Sequence, residues 1–333
     1  MESKQTLEDL WQLHLSERAN ALRAVPSTPP KLVPPQLPSE PFKVLEKLDV
    51  CRLDGSKVVT TNRLDADSLR ALIEDGSACA IHVPGFCPPD VADRLSSQAV
   101  LECTQWCFEG NIATDMFYAG GSIPNEVAAR NWPDFHRYFA QREEFIQKQR
   151  EICGGDWPVD CLQEQINQAW PAGAHLREWL GQKMRPAIMR VMHPEPTGKS
   201  KAPAHGLGFI HVDDSIKLEP SHGIFSANIY LKLPEQGGTL FIWGVNLGQA
   251  KTPRDKLRIT LLRAMAAHVF DPEWQMRFRK LLPDPYAIIP KIGDLIMIHS
   301  GRPHSVEPIY AGLRVTNQLF CQAEGTGPLT IYS

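Results

Sequence analysis

A histidine and an aspartate two residues apart, His211 and Asp213, follow an apolar run in the segment GFIHVDDSI, residues 208–216. Alternate residues of an extended strand point to the same face, so these two side chains could bind one metal ion without distortion. The spacing alone is weak evidence, because a chain with 11 histidines and 38 acidic residues in 333 is expected to contain about one His-x-acid match by chance.

The chain contains a second match of this kind, His193-Pro194-Glu195. Its central proline and the Pro, Gly, Lys and Ser residues that follow it argue against a regular strand that would hold both side chains on one face. His211 instead follows GLGFI at the end of a predicted strand. The local context therefore favours His211 and Asp213 as the metal-binding pair.

A third metal ligand is found downstream, in KIGDLIMIHSGRPHSVEPIYAGLRVTNQ, residues 291–318. His304 follows a Gly-Asp-strand-turn unit, and Arg314 comes ten residues later on the next predicted strand. Two histidines and one carboxylate on one side of a metal leave coordination positions open, which suits Fe(II) that binds a bidentate co-substrate and O₂. A closed structural zinc site would need a fourth protein ligand, and none is evident in the sequence.

The combined pattern resembles the Fe(II)- and 2-oxoglutarate-dependent oxygenases. The residues that carry the resemblance span about 185–322 and are His211-x-Asp213, Gly237-Gly238, His304 and Arg314. The resemblance implies that the two histidines and the aspartate are catalytic and hold the iron, with 2-oxoglutarate and O₂ as co-substrates. It also implies that Arg314 binds the distal carboxylate of 2-oxoglutarate, a role that suits a planar and permanently charged guanidinium.

Three further residues are candidates for the 2-oxoglutarate site. Thr316 lies two residues beyond Arg314, so on a strand its hydroxyl would face the same carboxylate, although threonine is also common in strands for its β propensity alone. Asn228 is a polar residue within the apolar run FSANIYLKL and is predicted to contact the iron-side end of 2-oxoglutarate. Tyr230 shares its strand face and is a weaker candidate.

Three other polar residues near these motifs have open roles. His299 in IMIHS is interpreted as a strand histidine rather than a ligand. Arg302 is interpreted as a turn residue, with substrate binding as the alternative. Arg190, on the predicted strand before His211, is either an exposed strand arginine or a partner for a substrate carboxylate.

The elements that must position these residues are predicted from periodicity. After about residue 185 the chain is a series of short β-type runs bounded by Gly, Pro, Asp or Glu, which is typical of a sandwich or barrel: PAIMRVMH, GLGFIHVD, GIFSANIYLKL, GGTLFIWGV, YAIIP, DLIMIHS, HSVEPI and LRVTNQLFC. Residues 252–283 interrupt this series and are predicted to form two helices that begin at Thr252-Pro253 and Asp271-Pro272. This insert either packs on the β-structure or covers the site as a lid.

The predicted fold class is α+β, with a double-stranded β-helix (jelly-roll or cupin-like) core, N-terminal helices and a helical insert. Residues 1–45 are assigned to an N-terminal helix and a Pro-rich linker, 46–185 to a mixed, mainly helical buttressing region, and 186–333 to the oxygenase core. Within the second region, helices are predicted around 66–75, 88–107, 132–153 and 160–184, and the run ACAIHVPGF is predicted to be a strand. The last of these helices is predicted to be broken at Trp170-Pro171.

Composition restricts the class of protein. With 35 basic and 38 acidic residues and a net charge of −3, nothing indicates a nucleic-acid or membrane partner, and no long apolar run is present. The charged N-terminus lacks the apolar stretch of a signal peptide, and eight scattered cysteines fit reduced thiols. The sequence therefore predicts a cytoplasmic protein.

These features predict an enzyme, a 2-oxoglutarate-dependent non-haem iron dioxygenase. By resemblance it oxidises an unactivated C–H bond of a small molecule, such as an amino acid or a natural-product intermediate, by hydroxylation, desaturation or ring closure, and it releases succinate and CO₂. A non-catalytic jelly-roll binding protein and a protein hydroxylase are the alternatives. The sequence does not name the substrate or the oligomeric state.

Overall fold

The structure is a computed structural model, and it describes residues 41–49, 55–108, 111–119, 137–179, 181–194, 208–213, 222–245, 252–268 and 272–333. Its helices are α1 Pro41–Leu48, α2 Ala66–Ile73, α3 Pro89–Glu102, α4 Arg142–Cys153, α5 Pro158–Ala169, α6 Pro253–His268 and α7 Pro272–Arg279. The predicted N-terminal helix and most of the Pro-rich linker lie outside the described residues.

The strands in the N-terminal half are β1 Lys57–Thr60, β2 Ala78–Val83, β3 Thr104–Phe108, β4 Asn111–Ala119, β5 Ala174–Leu176, β6 Glu178–Trp179 and β7 Gln182–Lys183. Those in the C-terminal half are β8 Ile188–Met192, β9 His222–Lys232, β10 Leu240–Ile242, β11 Tyr286–Ile288, β12 Leu295–His299, β13 His304–Val306, β14 Arg314–Glu324 and β15 Leu329–Tyr332. The prediction that helices combine with a β-rich C-terminal half is confirmed.

The main sheet has the strand order β1-β2-β12-β9-β14-β8-β4-β3, and β15 and β5 extend it beside β14. Its centre is antiparallel, and β9 and β14 form its longest pairing. A smaller sheet has the order β11-β10-β13. Strands β2 and β4 pair with β12 and β8, so the segment predicted as a mainly helical buttress supplies strands to the same sheet as the C-terminal half.

The two faces of the main sheet bury different kinds of side chain, because alternate residues of a strand point to opposite sides. On β14, Val315 and Leu319 belong to a large apolar core that also contains helix residues such as Leu162 and Leu95. On β9 and β12, Tyr230, Ile296 and Ile298 face the other way and pack with apolar residues of the smaller sheet, namely Leu240, Ile242 and Ile288. The two sheets therefore pack face to face.

The insert between β10 and β11 forms two helices, α6 and α7, as predicted. The hydroxyl of Thr252 accepts a hydrogen bond from the backbone N–H of Asp255, and the Asp255 carboxylate accepts one from the N–H of Thr252, which is a capping box. The proposed cap at Asp271 lies outside the described residues. Buried residues of α1, α6 and α7 form a second apolar core together with Ile210 and Val212, so the insert packs on the segment that carries His211.

Three predicted elements differ in the structure. In the stretch predicted as helical over 160–184, the helix ends at Ala169, at the predicted break, because Pro171 cannot donate a helical hydrogen bond; beyond the break the short strands β5, β6 and β7 replace the predicted helix. The helix predicted over 88–107 ends at Glu102, where extended backbone at Cys103 leads into β3. The run GLGFIHVD is not a strand in its described part, 208–213, which forms one isolated bridge at His211.

None of the helices in the described part of the chain is both long enough and apolar enough to cross a membrane. The six cysteines whose side chains the structure describes are all free thiols.

Candidate metal and co-substrate site

The structure brings together His211, Asp213 and His304, and one potential ligand atom from each lies within 4.8 Å of the others. His211 Nε2 is 3.6 Å from one Asp213 carboxylate oxygen, and His304 Nε2 is 3.5 Å from the other. Two ligand atoms that are each about 2.1 Å from one ion stand about 3.0 Å apart at a right angle and about 3.4 Å apart at a tetrahedral angle. The three side chains therefore fit one metal ion after a small movement.

The two histidines face each other across a backbone bridge between the site segment and β13. The N–H of His211 donates to the carbonyl of His304 at 3.0 Å, and the N–H of His304 donates to the carbonyl of His211 at 3.0 Å. This reciprocal pair places the imidazole ring centroids 4.3 Å apart.

Each of the two rings is oriented by its own backbone. Nδ1 of His211 lies 2.9 Å from the carbonyl of Phe209, and Nδ1 of His304 lies 2.8 Å from the carbonyl of Arg302. When each Nδ1 donates a proton to its carbonyl, the lone pair of Nε2 points toward Asp213. This is the tautomer that a metal-binding histidine needs.

The segment 208–213 is held in place by contacts other than a strand ladder. The N–H of Asp213 donates to the carbonyl of Ser300 at 2.9 Å. At Ile210 the side chain of Gln275 takes the place of a neighbouring strand, because its oxygen accepts from the Ile210 N–H and its nitrogen donates to the Ile210 carbonyl, both at 2.9 Å. Ser300 and Gln275, both far from His211 in the chain, thus fix the backbone on either side of it.

Gly208 begins this segment with a φ of +70°, in the left-handed region that glycine adopts without strain. A Cβ atom at this position would lie 1.8 Å from the carbonyl oxygen of Val306. Only glycine therefore allows the segment to approach β13 closely enough for the bridge at His211.

The triad shows the electrostatic pattern of a carboxylate between two imidazoles. Desolvation acts to raise the pKa of Asp213, but the interactions with His304 and His211 outweigh it and hold that pKa well below its usual value. Although 34% of the His211 side chain is exposed, desolvation and the charge of His304 lower its pKa to about 4. Burial also lowers the pKa of His304, but the interaction with Asp213 outweighs burial and raises it overall.

Arg314 lies buried at the start of β14, with 5% of its surface exposed. Its guanidinium packs over the ring of Tyr230 at 5.0 Å, and one nitrogen lies 3.3 Å from the Tyr230 hydroxyl. The Nε and Nη1 atoms of Arg314 have no hydrogen-bond partner among the described residues. Buried donors of this kind are rare without a partner, so the guanidinium fits a carboxylate that it would bind by two hydrogen bonds.

The other predicted co-substrate residues lie on the same face of the main sheet as Arg314. Thr316 is buried and stands opposite Tyr230 on β9. Asn228 is half-buried, and its amide donates to the hydroxyl of Ser226 at 3.0 Å. Of the two residues proposed on β9, Tyr230 contacts Arg314, whereas Asn228 is predicted to contact the iron-side end of 2-oxoglutarate. The spacing places both residues on one face but does not show which side chain reaches the arginine.

Two residues with open roles have side chains that bond or pack outside the triad. His299 is buried on the apolar core face of β12, where its ring packs against Phe225 at 4.7 Å. Arg302 is fully buried, and its guanidinium donates to Ser56, Gly76 and Val245. Arg302 therefore ties the turn before His304 to neighbouring loops, as expected of a structural turn residue.

No protein-family model matches the chain, and no curated protein matches it. Solved structures similar to it include an N-substituted L-amino acid dioxygenase from Burkholderia ambifaria AMMD, with a TM-score of 0.43 and 12% identity over 80% of this chain and 91% of that chain. A Pseudomonas putida prolyl-4-hydroxylase has a TM-score of 0.37 and 15% identity over 78% and 98% of the two chains.

HygX from Streptomyces hygroscopicus, solved with nickel and 2-oxoglutarate bound, has a TM-score of 0.38 and 12% identity over 77% of this chain and 85% of that chain. At these identities and TM-scores, the similarity transfers no residue role and no substrate to this chain.

Proposed function

We propose that the protein is an Fe(II)- and 2-oxoglutarate-dependent oxygenase that oxidises an unactivated C–H bond of a small molecule and releases succinate and CO₂. The observation that carries this proposal is the convergence of His211, Asp213 and His304 on one point. Two imidazoles and one carboxylate form a ligand set that leaves coordination positions open, as iron oxygenases require.

In this proposal His211, Asp213 and His304 hold the iron, which when bound with 2-oxoglutarate and O₂ supplies the oxidising chemistry. The hydrogen bonds from each Nδ1 to a backbone carbonyl keep both Nε2 lone pairs directed at the metal position. The carboxylate of Asp213, whose pKa is held low, is available as an anionic ligand throughout the neutral pH range.

Arg314 binds the distal carboxylate of 2-oxoglutarate in this proposal. The Tyr230 hydroxyl stands beside the guanidinium and supplies a further donor to the same carboxylate, and Thr316 faces the same space. Asn228 is assigned to the iron-side end of the co-substrate, because it lies two residues from Tyr230 on the same strand face. In this orientation the reactive end of 2-oxoglutarate points toward the triad.

We also propose that the two sheets form a double-stranded β-helix with the iron at one end. Three facts support this: the sheets pack face to face, β13 of the smaller sheet carries His304, and the segment with His211 bridges to β13. Both histidines therefore lie on the smaller sheet's edge, while Arg314 lies on the main sheet opposite.

A small molecule remains the proposed substrate, and no nucleic acid or membrane partner is proposed. The choice among hydroxylation, desaturation and ring closure depends on how the substrate lies beside the triad. A cytoplasmic location stays a prediction, and the free thiols of the described cysteines accord with it.

The test is to add Fe(II), 2-oxoglutarate and a panel of amino acids to the purified protein and to measure metal binding and succinate release. We expect metal-dependent succinate release from the wild type, and loss of most metal affinity and all coupled oxidation in Asp213→Ala. Asp67→Ala is the matched control, because Asp67 is exposed on α2. Equal turnover by Asp213→Ala and wild type would show that the carboxylate is wrongly assigned.

The same measurements separate the alternatives. A binding protein without catalysis would bind the metal or 2-oxoglutarate and release no succinate with any compound. A protein hydroxylase would release succinate only when peptides are added.

A further inference from the structure

Arg190 lies on the same face of the main sheet as Arg314. Strands β8 and β14 pair antiparallel, and Arg190 stands directly opposite Thr316. Residues opposite each other in a sheet share a face, and alternate residues of one strand share a face, so Arg190, Thr316 and Arg314 point to one side. Tyr230 also stands opposite Thr316, from the neighbouring strand β9.

Arg190 faces the smaller sheet, which carries one of the proposed metal ligands. The face that Arg190 shares with Tyr230 packs on β10, where Ile242 stands opposite His304 of β13. Burial is the main cause that lowers the pKa of Arg314, and the charge of Arg190 adds to that effect. Arg190 therefore lies beside the proposed co-substrate arginine, on the side of the main sheet that faces β13.

The two arginines differ in their access to solvent. Arg314 is buried, and its guanidinium packs over the ring of Tyr230. Arg190 is half-buried, so part of its side chain is open to molecules that enter from outside. This difference in solvent access suits Arg314 to an enclosed co-substrate. It suits Arg190 to a reactant that enters the site from solvent.

The chemistry of a guanidinium on this face suits a carboxylate ligand. Its planar fork can orient a carboxylate by two hydrogen bonds, and it keeps its positive charge throughout the physiological pH range.

We propose that Arg190 binds a carboxylate of the molecule that is oxidised, so that the substrate class is small organic acids. This inference rests on the proposed function and adds a specificity-determining residue to it. A molecule held by its carboxylate at Arg190 presents a carbon beyond that group to the triad.

The experiment measures binding to protein loaded with Zn(II) and 2-oxoglutarate. Protein loaded in this way does not turn over. The probes are amino acids, their N-acetyl derivatives and the matching primary amides, with binding followed by ligand-observed NMR and calorimetry. We expect the wild type to bind at least one acid about tenfold or more tightly than its amide. In Arg190→Met this preference should disappear, while the affinity for 2-oxoglutarate stays within about twofold of wild type.

Arg177→Met is the matched control, because Arg177 packs on the ring of Tyr332 in β15, which pairs with the opposite end of β14 from Arg314. It should keep the preference for acids, and circular dichroism should show that both variants are folded. An unchanged acid preference in Arg190→Met, or no acid preference in a wild type that binds 2-oxoglutarate, would overturn the proposal. A large loss of 2-oxoglutarate affinity in Arg190→Met would also overturn it and assign Arg190 to the co-substrate.

Titration of the same probes into metal-free protein distinguishes this proposal from the proposed function. If wild type binds neither metal nor 2-oxoglutarate but prefers acids through Arg190, the oxygenase assignment fails and the carboxylate site stands.

Discussion

Gln275 and Ile210 form two reciprocal hydrogen bonds, each of 2.9 Å, between a helix side chain and the backbone next to a proposed metal ligand. Gln275 lies on α7 and is 1% exposed, so water does not compete for these bonds. The amide of a helix residue thus does what a neighbouring strand would do. This links the helical insert to the position of His211.

Replacement of Gln275 by leucine should weaken metal binding. Leucine has a similar size but leaves the N–H and carbonyl of Ile210 without partners, so His211 is less well oriented. We expect a loss of about tenfold or more in metal affinity and about 1–3 kcal/mol in the free energy of unfolding. Metal titration followed by fluorescence and chemical unfolding measure the two effects.

Gln168→Leu is the control, because Gln168 is exposed on α5 and bonds only to Glu164 among the partners described for it. A Gln275→Leu variant that is less stable but binds metal as tightly as wild type would restrict Gln275 to a purely structural role.

Alanine at Gly208 should disrupt the site more than alanine at an open glycine. A Cβ at Gly208 would meet the Val306 carbonyl, whereas a Cβ at Gly154, which has a φ of +72°, would have no atom within 4 Å. Gly154→Ala should therefore cost about 1–2 kcal/mol of backbone strain alone. Gly208→Ala should cost more and should lose metal binding, as measured by unfolding and metal titration. Equal effects of the two substitutions would contradict the role of close approach.

Lysine at Arg314 should raise the 2-oxoglutarate requirement steeply while metal still binds. A lysine is a point charge and cannot reproduce the bidentate hydrogen bonding of a guanidinium. Tyr230→Phe should raise the requirement less, about tenfold, because it removes one hydroxyl and keeps the ring. Calorimetric titration of 2-oxoglutarate into Zn(II)-loaded protein checks both variants, with Arg177→Lys as control. Unchanged 2-oxoglutarate affinity in Arg314→Lys would place the anchor elsewhere.

Asp294 should stabilise the fold at neutral pH and lose this effect in acid. Its buried carboxylate accepts hydrogen bonds from the N–H groups of Lys291 and Gly85 and lies 2.7 Å from His82 Nε2. Burial acts to raise the pKa of Asp294, but these hydrogen bonds outweigh it and lower the pKa below the usual value. Because the folded-state pKa is depressed, the contribution is complete above the unfolded pKa of about 3.9 and is lost as the pH falls through the folded value.

Asp294→Asn should therefore lower the free energy of unfolding by about 1–3 kcal/mol at pH 7, and the difference from wild type should shrink below about pH 4. Urea unfolding across this pH range measures it. Asp67→Asn, at an exposed position, should change little. A difference that persists unchanged in acid would show that the carboxylate charge is not the cause.

The insert should be protected from hydrogen exchange before any substrate is added. Ile259, Leu262 and Phe278 are fully buried in the core that the insert shares with α1. Exchange measured over 252–283 with metal and 2-oxoglutarate, and then with a bound acid, checks this. Protection that rises only at the last addition would instead indicate a lid.

The sequence by itself determined the features that depend on local order. Short apolar runs bounded by Gly, Pro, Asp or Glu predicted β9, β12 and β14, because such runs favour strands and the bounding residues end them. The side-chain types of His211, Asp213 and His304 predicted a metal site with open coordination positions. The cap at Thr252 predicted where α6 begins, because its hydrogen bonds join residues only three apart.

Only the tertiary structure decided the contacts that join distant parts of the chain. The segment at His211 was predicted as a strand, yet it is held by one bridge to β13 and by Gln275, which is 65 residues away. The choice of Tyr230 over Asn228 as the neighbour of Arg314 depends on the register between β9 and β14. Register and helix docking arise from the packing of whole elements, so no local pattern of residues encodes them.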